Sequence, residues 1–286
     1  MLGAFKRKLH QIDIPSFIYG TAWKEEATQE LTFQALNSGF VGIDTANQRK
    51  HYFEEGVGQG IQQFLKATGK SRDDLFLQTK FTSAFGQDHR KPYDESDSYK
   101  NQVRQSFLSS LNHLQTDYLD SYILHGPSYT SGLVQNDLDI WSAMEEIYNE
   151  GKIRALGISN VTLEQLEALF NIAYVKPSFV QNRCFASKQW DFSIREFCKK
   201  NGIIYQGFSL LTANLSYLHT DRMHELAKQY KKTIPQIIFR FALQIGMLPL
   251  TGTSNKQHMQ EDLDVDSFEL SLDSLKLIEE INKGQT

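Results

Sequence analysis

Short apolar runs alternate along the whole chain with longer stretches in which apolar residues recur every three or four positions. Continuous or period-two apolar runs read as strands, and the 3.6-residue period reads as amphipathic helix. The runs predict strands over 16–20, 41–44, 75–80, 118–124, 153–158, 179–182, 203–208 and 247–250. The periodic stretches predict helices over 25–38, 54–67, 99–114, 138–150, 163–172, 193–200 and 234–244. Gly39, Gly69, Gly151 and Gly202 each follow a predicted helix, where a left-handed residue commonly ends the turn. Thr162 and Ser71 stand where cap or turn residues are needed.

Strand and helix alternating in this way predict repeated βα units and a parallel sheet. Segment 8–14 reads as a small hairpin ahead of the first of these strands, and 257–263 and 271–281 as extra helices at the end. Segment 82–98 is polar and turn-rich and reads as a surface loop at a pocket rim. No linker, repeat, low-complexity stretch or charge block divides the chain, so 1–286 is read as one domain.

Four segments end a predicted strand in a group able to move or orient a proton: 42–52 (GIDTANQRKHY), 75–81 (LFLQTKF), 119–127 (LDSYILHGP) and 153–160 (IRALGISN). Proton-handling groups at successive strand C-termini converge when the strands form a ring, because all those ends open onto one face. The predicted fold is therefore α/β, a TIM (β/α)8 barrel with an N-terminal hairpin and extra C-terminal helices. A doubly wound sheet holding a dinucleotide would show a Gly-rich turn after its first strand. Gly56, Gly58 and Gly60 lack that spacing and lie inside a predicted helix, where close helix packing is their expected role.

Composition narrows the function. Of 286 residues, 40% are hydrophobic, enough for one large core, and the net charge of −4 gives no basic field for nucleic acid or an anionic membrane. Cys184 and Cys198 are too few for a disulfide framework and suit a reducing compartment. No HExxH, CxxC or His/Cys cluster predicts a metal site. Segment 1–17 lacks the apolar core of a secretory signal, and no run approaches the ~18 apolar residues that span a bilayer. These readings predict a cytoplasmic protein, expected as a monomer or weak oligomer.

The stretches GIDTA, LQTKF, LDSYILHGP, GKIRALGISN, FVQN, YQGFSLL and LPLTGTSNKQHMQEDL occur in the order of the aldo-keto reductase family, which the chain resembles over nearly its whole length. The resemblance implies hydride transfer between NADPH and a carbonyl on a barrel that needs no Gly-rich fingerprint. It implies a catalytic set of Asp44, Tyr52, Lys80 and His125. A phenol has an unperturbed pKa of ~10, and a nearby ammonium lowers it. Lys80 would be that ammonium, Asp44 would hold it charged and in place, His125 would orient the substrate oxygen, and Tyr52 would deliver the proton. Taken singly, each has a plainer role: Asp44 a cap, Lys80 a solvated strand end, His125 a core histidine, Tyr52 simple packing. Tyr52 also lies further beyond Asp44 than the family's DTAxxY spacing, which brings Arg49 to that slot. Register counted back from EEGVG leaves His51 and Tyr52 competing, and only Tyr52 is a phenol.

The same resemblance implies that Thr21, Ser159, Asn160, Gln181, Phe208, Ser209, Leu210 and Thr212 hold the nicotinamide half and pyrophosphate of the cofactor. Phe208 would stack on the nicotinamide ring. Gly252, Thr253, Ser254, Lys256, His258, Glu261 and Asp262 would line the adenosine end. There Gly252 stands at the family's lysine position and His258 at its arginine position, so NADPH is expected with NADH as the alternative. Trp23 matches a pocket-wall aromatic, and Gly126 stands where many members carry Trp. The chain ends at Thr286 soon after its last helix, with no long loop to close the pocket. A broad, open site favouring aldehydes over bulky steroids is expected. The alternative function is a nucleotide-binding regulatory or sensor protein on the same barrel, similar to potassium-channel β subunits.

Overall fold

The two apolar periods sort onto opposite sides of a closed ring of strands. In a computed structural model describing residues 7–9 and 12–284, β3 (Ile18–Gly20), β4 (Gly42–Asp44), β5 (Phe76–Phe81), β6 (Ser121–Leu124), β7 (Leu156–Ser159), β8 (Phe179–Arg183), β9 (Ile204–Phe208) and β10 (Leu248–Thr251) pair in chain order. All are parallel, and β10 closes the ring by pairing with both β9 and β3. Outside lie α1 (Thr28–Ser38), α2 (Glu54–Thr68), α3 (Tyr99–Leu114), α4 (Gln135–Asn149), α5 (Leu163–Ile172), α6 (Phe192–Lys200), α8 (Asp221–Tyr230) and α9 (Ile234–Gln244), with the short α7 (Leu215–Leu218) after β9. The late helices are α10 (Lys256–Leu263) and α11 (Leu272–Glu279).

Successive side chains on a strand point to opposite faces. On β5, Leu77 and Phe81 join the large cluster under the helices. Phe76 joins a separate inner cluster with Ile18, Ile123, Ala155, Phe179, Leu248 and Leu250, which fills the base of the barrel. The hairpin of β1 (Arg7–Leu9) and β2 (Ile12–Ile14) plugs that base by adding buried Ile12 and Ile14 to the inner cluster. Its turn residues, 10 and 11, lie outside the described residues. Above the apolar base the inward positions become polar: Asp44, Gln78, Lys80, Gln181 and Gln206 are all buried.

Several boundaries differ from expectation for identifiable reasons. The strand predicted over 118–124 shrinks to β6, with only an isolated bridge between Leu119 and Ile153 below it. There the buried Asp120 accepts from Arg72 (2.8 Å), Arg154 (2.9 Å) and the backbone N–H of Leu77 (2.9 Å). Both guanidinium groups stack on Tyr118, at 4.3 and 4.1 Å from its ring centre, so side-chain contacts reinforce the backbone bonds at this end. The helix predicted over 25–38 opens as a 3₁₀ turn over Glu25–Ala27. Helix α8 has no counterpart in the prediction, because only Met223 and Leu226 of its ten residues are buried and its apolar stripe is thin. The loop over 82–98 is pinned inward by buried Gln87 and Tyr93, which both donate to the carbonyl of Thr82.

The glycines of α2 set helix packing. A Cβ at Gly58 would lie 2.1 Å from the carbonyl oxygen of His113 on α3, and one at Gly60 would lie 2.6 Å from that of Gln29 on α1. The backbones touch because these side chains are missing. Gly69, at φ 70°, ends α2 with open space around it. Gly58→Ala should therefore destabilise the fold by about 1–3 kcal/mol through overpacking. Gly69→Ala should cost only the left-handed conformation, roughly 1 kcal/mol. Urea denaturation of the two variants checks the order.

Candidate active site

The site grows from the C-terminal ends of β4, β5 and β6. Asp44, the last residue of β4, is 3% exposed, and Lys80 on the neighbouring strand is fully buried. Lys80 Nζ donates to Asp44 Oδ1 (2.7 Å), Asp44 Oδ2 (2.6 Å) and the carbonyl of Thr45 (2.8 Å). The three bonds match the three donors of an ammonium. Burial pushes Lys80 below the ordinary lysine value, and the charge and hydrogen bonds of Asp44, with the charge of Glu54, oppose that push.

The loop after β4 explains how the longer gap to Tyr52 is absorbed. Its backbone folds back on itself, with His51 and Tyr52 both donating to the carbonyl of Gln48 (3.1 and 3.0 Å). The Tyr52 ring centre then lies 5.3 Å from Lys80 Nζ, and the ring meets that of His125 edge-on at 6.0 Å. Burial, followed by the negative charge of Asp44, raises the Tyr52 phenol well above its ordinary value. The expected lowering by the ammonium is absent here, because Lys80 is already neutralised by Asp44. His51, the rival for this position, turns away, stacking on Trp23 at 4.0 Å and bonding through Nδ1 with Gln48 (2.8 Å).

His125 follows β6. Its Nδ1 lies 2.6 Å from Thr82 Oγ1, and its carbonyl accepts from Asn160 Nδ2 at 2.9 Å. Burial, aided by the positive charges of Lys80 and His51, lowers its pKa to about 3. The imidazole is neutral at ordinary pH, and Thr82 bonds one of its nitrogens.

A cavity of about 740 Å³ opens over this cluster. Asp44, Tyr52 and His125 line one part, Ser159, Gln181, Phe208, Ser209, Leu210 and Thr212 a second, and Gly252, Thr253, His258, Glu261 and Asp262 a third. Trp23 lines the mouth and is 69% exposed. Among the described residues, the backbone N–H groups of Ser209, Leu210, Leu211 and Thr212 donate to no protein group, although all four residues border the cavity. Successive free N–H groups beside a cavity suit an anion such as a pyrophosphate. The Asn214 side chain holds this loop, donating to the carbonyls of Cys184 and Leu210 and accepting from the N–H of Ala186. Asp262 is bonded by Thr251 (2.8 Å), and burial raises its pKa to about 6.

Six of the residues expected at this site do not line the cavity, and Lys80, fully buried against Asp44, is one of them. Thr21 is fully buried and donates to the carbonyl of Asp44. Asn160, left-handed at φ 52°, braces His125 from behind. Ser254 and Lys256 are exposed around the start of α10, where Asn255 already caps the N–H groups of Gln257 and His258. Gly126 lies beside Asn160 and Ser159, with room for a Cβ at 3.6 Å. The sequence reading missed Lys24, which lines the cavity and donates to the carbonyl of Gly252. It also missed Thr82 and the inward glutamines Gln78 and Gln206. Lys24 adjoins Trp23 in sequence, and Gln78 stands two residues before Lys80 on the same strand face, which were the available signals. Among the described residues, no cluster of His, Cys, Asp or Glu could hold a metal ion, and no helix is long and apolar enough to cross a membrane.

Comparison with known proteins gives a consistent answer. A sequence model of the Aldo/keto reductase family matches residues 17–283. A glyoxal reductase of Bacillus subtilis is 32% identical over 282 residues, covering 97% of this chain and 93% of the relative. An NADPH-dependent codeinone reductase of Papaver somniferum is 28% identical, covering 96% of this chain and 88% of the relative. The crystal structure of an aldo-keto reductase from a deep-sea metagenome library superposes with a TM-score of 0.81 at 26% identity, covering 96% and 93% of the two chains.

The neutral imidazole of His125 makes stability depend on pH. Its folded-state pKa of about 3 lies below the ordinary value of 6.5. Between these values the unfolded chain binds the extra proton, so this contribution is full above pH 6.5 and is lost as pH falls through that window. Urea denaturation at pH 7.5 and pH 5 should show a larger drop in stability for the parent than for His125→Gln.

Proposed function

The chain belongs to the aldo/keto reductase family, and on that premise we propose that Tyr52 is the proton donor of a carbonyl reductase built as one barrel domain over 1–286. Carbonyl reduction with NAD(P)H is the family's chemistry; the residue roles are our reading. One observation carries it: Tyr52, Asp44 and His125 line one cavity despite their separation in sequence, with Lys80 buried against Asp44 and 5.3 Å from the Tyr52 ring centre.

NADPH, when bound, supplies the hydride that the carbonyl carbon receives. The candidate cofactor residues fit such a group: Ser159 and Gln181 for the nicotinamide amide, Phe208 for the ring face, the free N–H groups from Ser209 to Thr212 for the pyrophosphate, and the stretch from Gly252 to Asp262 for adenosine. Charge develops on the substrate oxygen as the carbon is reduced. The raised phenol of Tyr52 remains protonated at neutral pH and has a proton to give. Lys80, with Nζ 5.3 Å from the ring centre, is the ammonium beside the forming phenolate, its charge shared with Asp44. If Thr82 Oγ1 donates to Nδ1 of His125, Nε2 carries the proton and donates to the substrate oxygen.

Among the described residues, the lysine, arginine and histidine side chains lining the cavity at the adenosine end are Lys24 and His258, alongside Glu261 and Asp262. That balance supports NADPH with NADH as an alternative. The exposed Trp23 supports an open mouth that takes small aldehydes and dicarbonyls in preference to bulky steroids, in keeping with the glyoxal reductase relative. A net charge of −4 supports a protein that binds neither nucleic acid nor membrane, and we place it in the cytoplasm as a monomer or weak oligomer.

Tyr52→Phe should lower kcat for an activated aromatic aldehyde by about 10²–10⁴-fold, the usual contribution of a positioned acid. Quenching of protein fluorescence by NADPH should persist in the variant. NADPH binding without turnover in the parent would instead favour the sensor reading.

A further inference from the structure

Beneath the ion pair the barrel interior carries a closed lattice of three glutamines. Gln78 Nε2 donates to Asp44 Oδ1 (2.7 Å) and to Gln206 Oε1 (2.9 Å), and Gln206 Nε2 returns a bond to Gln78 Oε1 (2.9 Å). Gln181 Nε2 donates to the same two acceptors, Asp44 Oδ1 (3.0 Å) and Gln206 Oε1 (2.9 Å). Gln78 and Gln206 are fully buried and, unlike Gln181, do not line the cavity. The inward position of a strand in a barrel is normally filled by Val, Ile or Leu. Two glutamines there bring four polar groups that must all find partners or cost free energy.

Charge fixes the direction of every bond in this lattice. A carboxylate only accepts, so Asp44 draws the NH2 ends of both Gln78 and Gln181 toward it. Gln206 must then turn its oxygen to those same two NH2 groups. Its own NH2 is left for Gln78 Oε1. The amide of Gln181 is thereby held with its nitrogen inward, and its carbonyl oxygen remains as the group it can offer to the cavity it lines.

We propose that Gln78 and Gln206 are positioning residues with separable tasks. Gln78 holds the Asp44 carboxylate in place for Lys80, and Gln206 fixes the orientation in which Gln181 meets the nicotinamide amide. The proposal rests on the functional reading given above. Its physical content is a division of labour. Loss of Gln78 leaves Gln181 bonded to both Asp44 and Gln206. Loss of Gln206 leaves Asp44 with its donors from Gln78, Gln181 and Lys80, but removes one of the two acceptors that lock Gln181.

The test uses the full-length chain with Gln78→Met and Gln206→Met, each close in volume to the parent residue. NADPH affinity is read by fluorescence quenching, kcat with an activated aromatic aldehyde, and integrity by Tm. Gln78→Met should lower kcat about tenfold with the NADPH Kd within about twofold of the parent; Gln206→Met should raise that Kd about tenfold, the scale of one hydrogen bond to a fixed partner. Parallel changes in Kd and kcat in both variants, or no change in either, overturn the proposal and assign the lattice to packing alone. If either methionine variant fails to fold, the double variant Gln78→Leu/Gln206→Leu leaves no polar group of the Gln78–Gln206 pair unpaired. Recovery of parental Kd and kcat in that double variant also overturns the proposal; a folded protein still weak in both supports it. A parent that binds NADPH without turning over the aldehyde defeats the functional reading, and the Kd comparison still decides the role of Gln206.

Discussion

The interior of this barrel is organised around a buried ion pair. Taking a carboxylate and an ammonium out of water costs several kcal/mol per ion, and their attraction offsets that cost only when the remaining hydrogen-bonding capacity is also used. Lys80 spends all its donors on Asp44 and Thr45, and Asp44 gathers further donors from Gln78 and Gln181. The polar layer above the apolar base therefore answers a single requirement. Phe76 and Phe179, in edge contact at 5.7 Å, belong to the dry floor under that layer, and the hairpin isoleucines close the floor from below. One face of the ring can hold charge because the other is sealed.

Much of this was legible in the sequence. Strands that are apolar on both faces and the glycine stops after α1, α2, α4 and α6 are strong local signals, and the left-handed angles at Gly39, Gly69, Gly151 and Gly202 agree with them. The groups Asp44, Lys80 and His125 could be found because strand ends in a ring share one face. Helix α8 escaped because it lies on the surface with two buried residues, so its apolar stripe is weaker than its polar content. The lower end of β6 differs because its backbone bonds form only an isolated bridge, which arginine–carboxylate bonding reinforces.

Other parts of the site depend on contacts that no local pattern encodes. Thr82 and His125 follow different strands and meet only when those strands pair. Gln78 and Gln206 come from opposite sides of the barrel, and an inward glutamine looks in sequence like any polar break in a strand. Thr21, Asn160, Ser254 and Lys256 show the converse: residues matched by motif position come to rest against backbone or solvent, so any influence on the cavity passes through the groups they support.

The segment that delivers the phenol is fastened at both ends. Asp44 anchors it on one side, and on the other the buried Glu54 is tied to Thr79, Ser110 and His113. Between these posts the backbone doubles back, so additional length becomes curvature and leaves reach unchanged. A loop built in this way can change length at its turn while Tyr52 keeps its place beside Lys80 and His125.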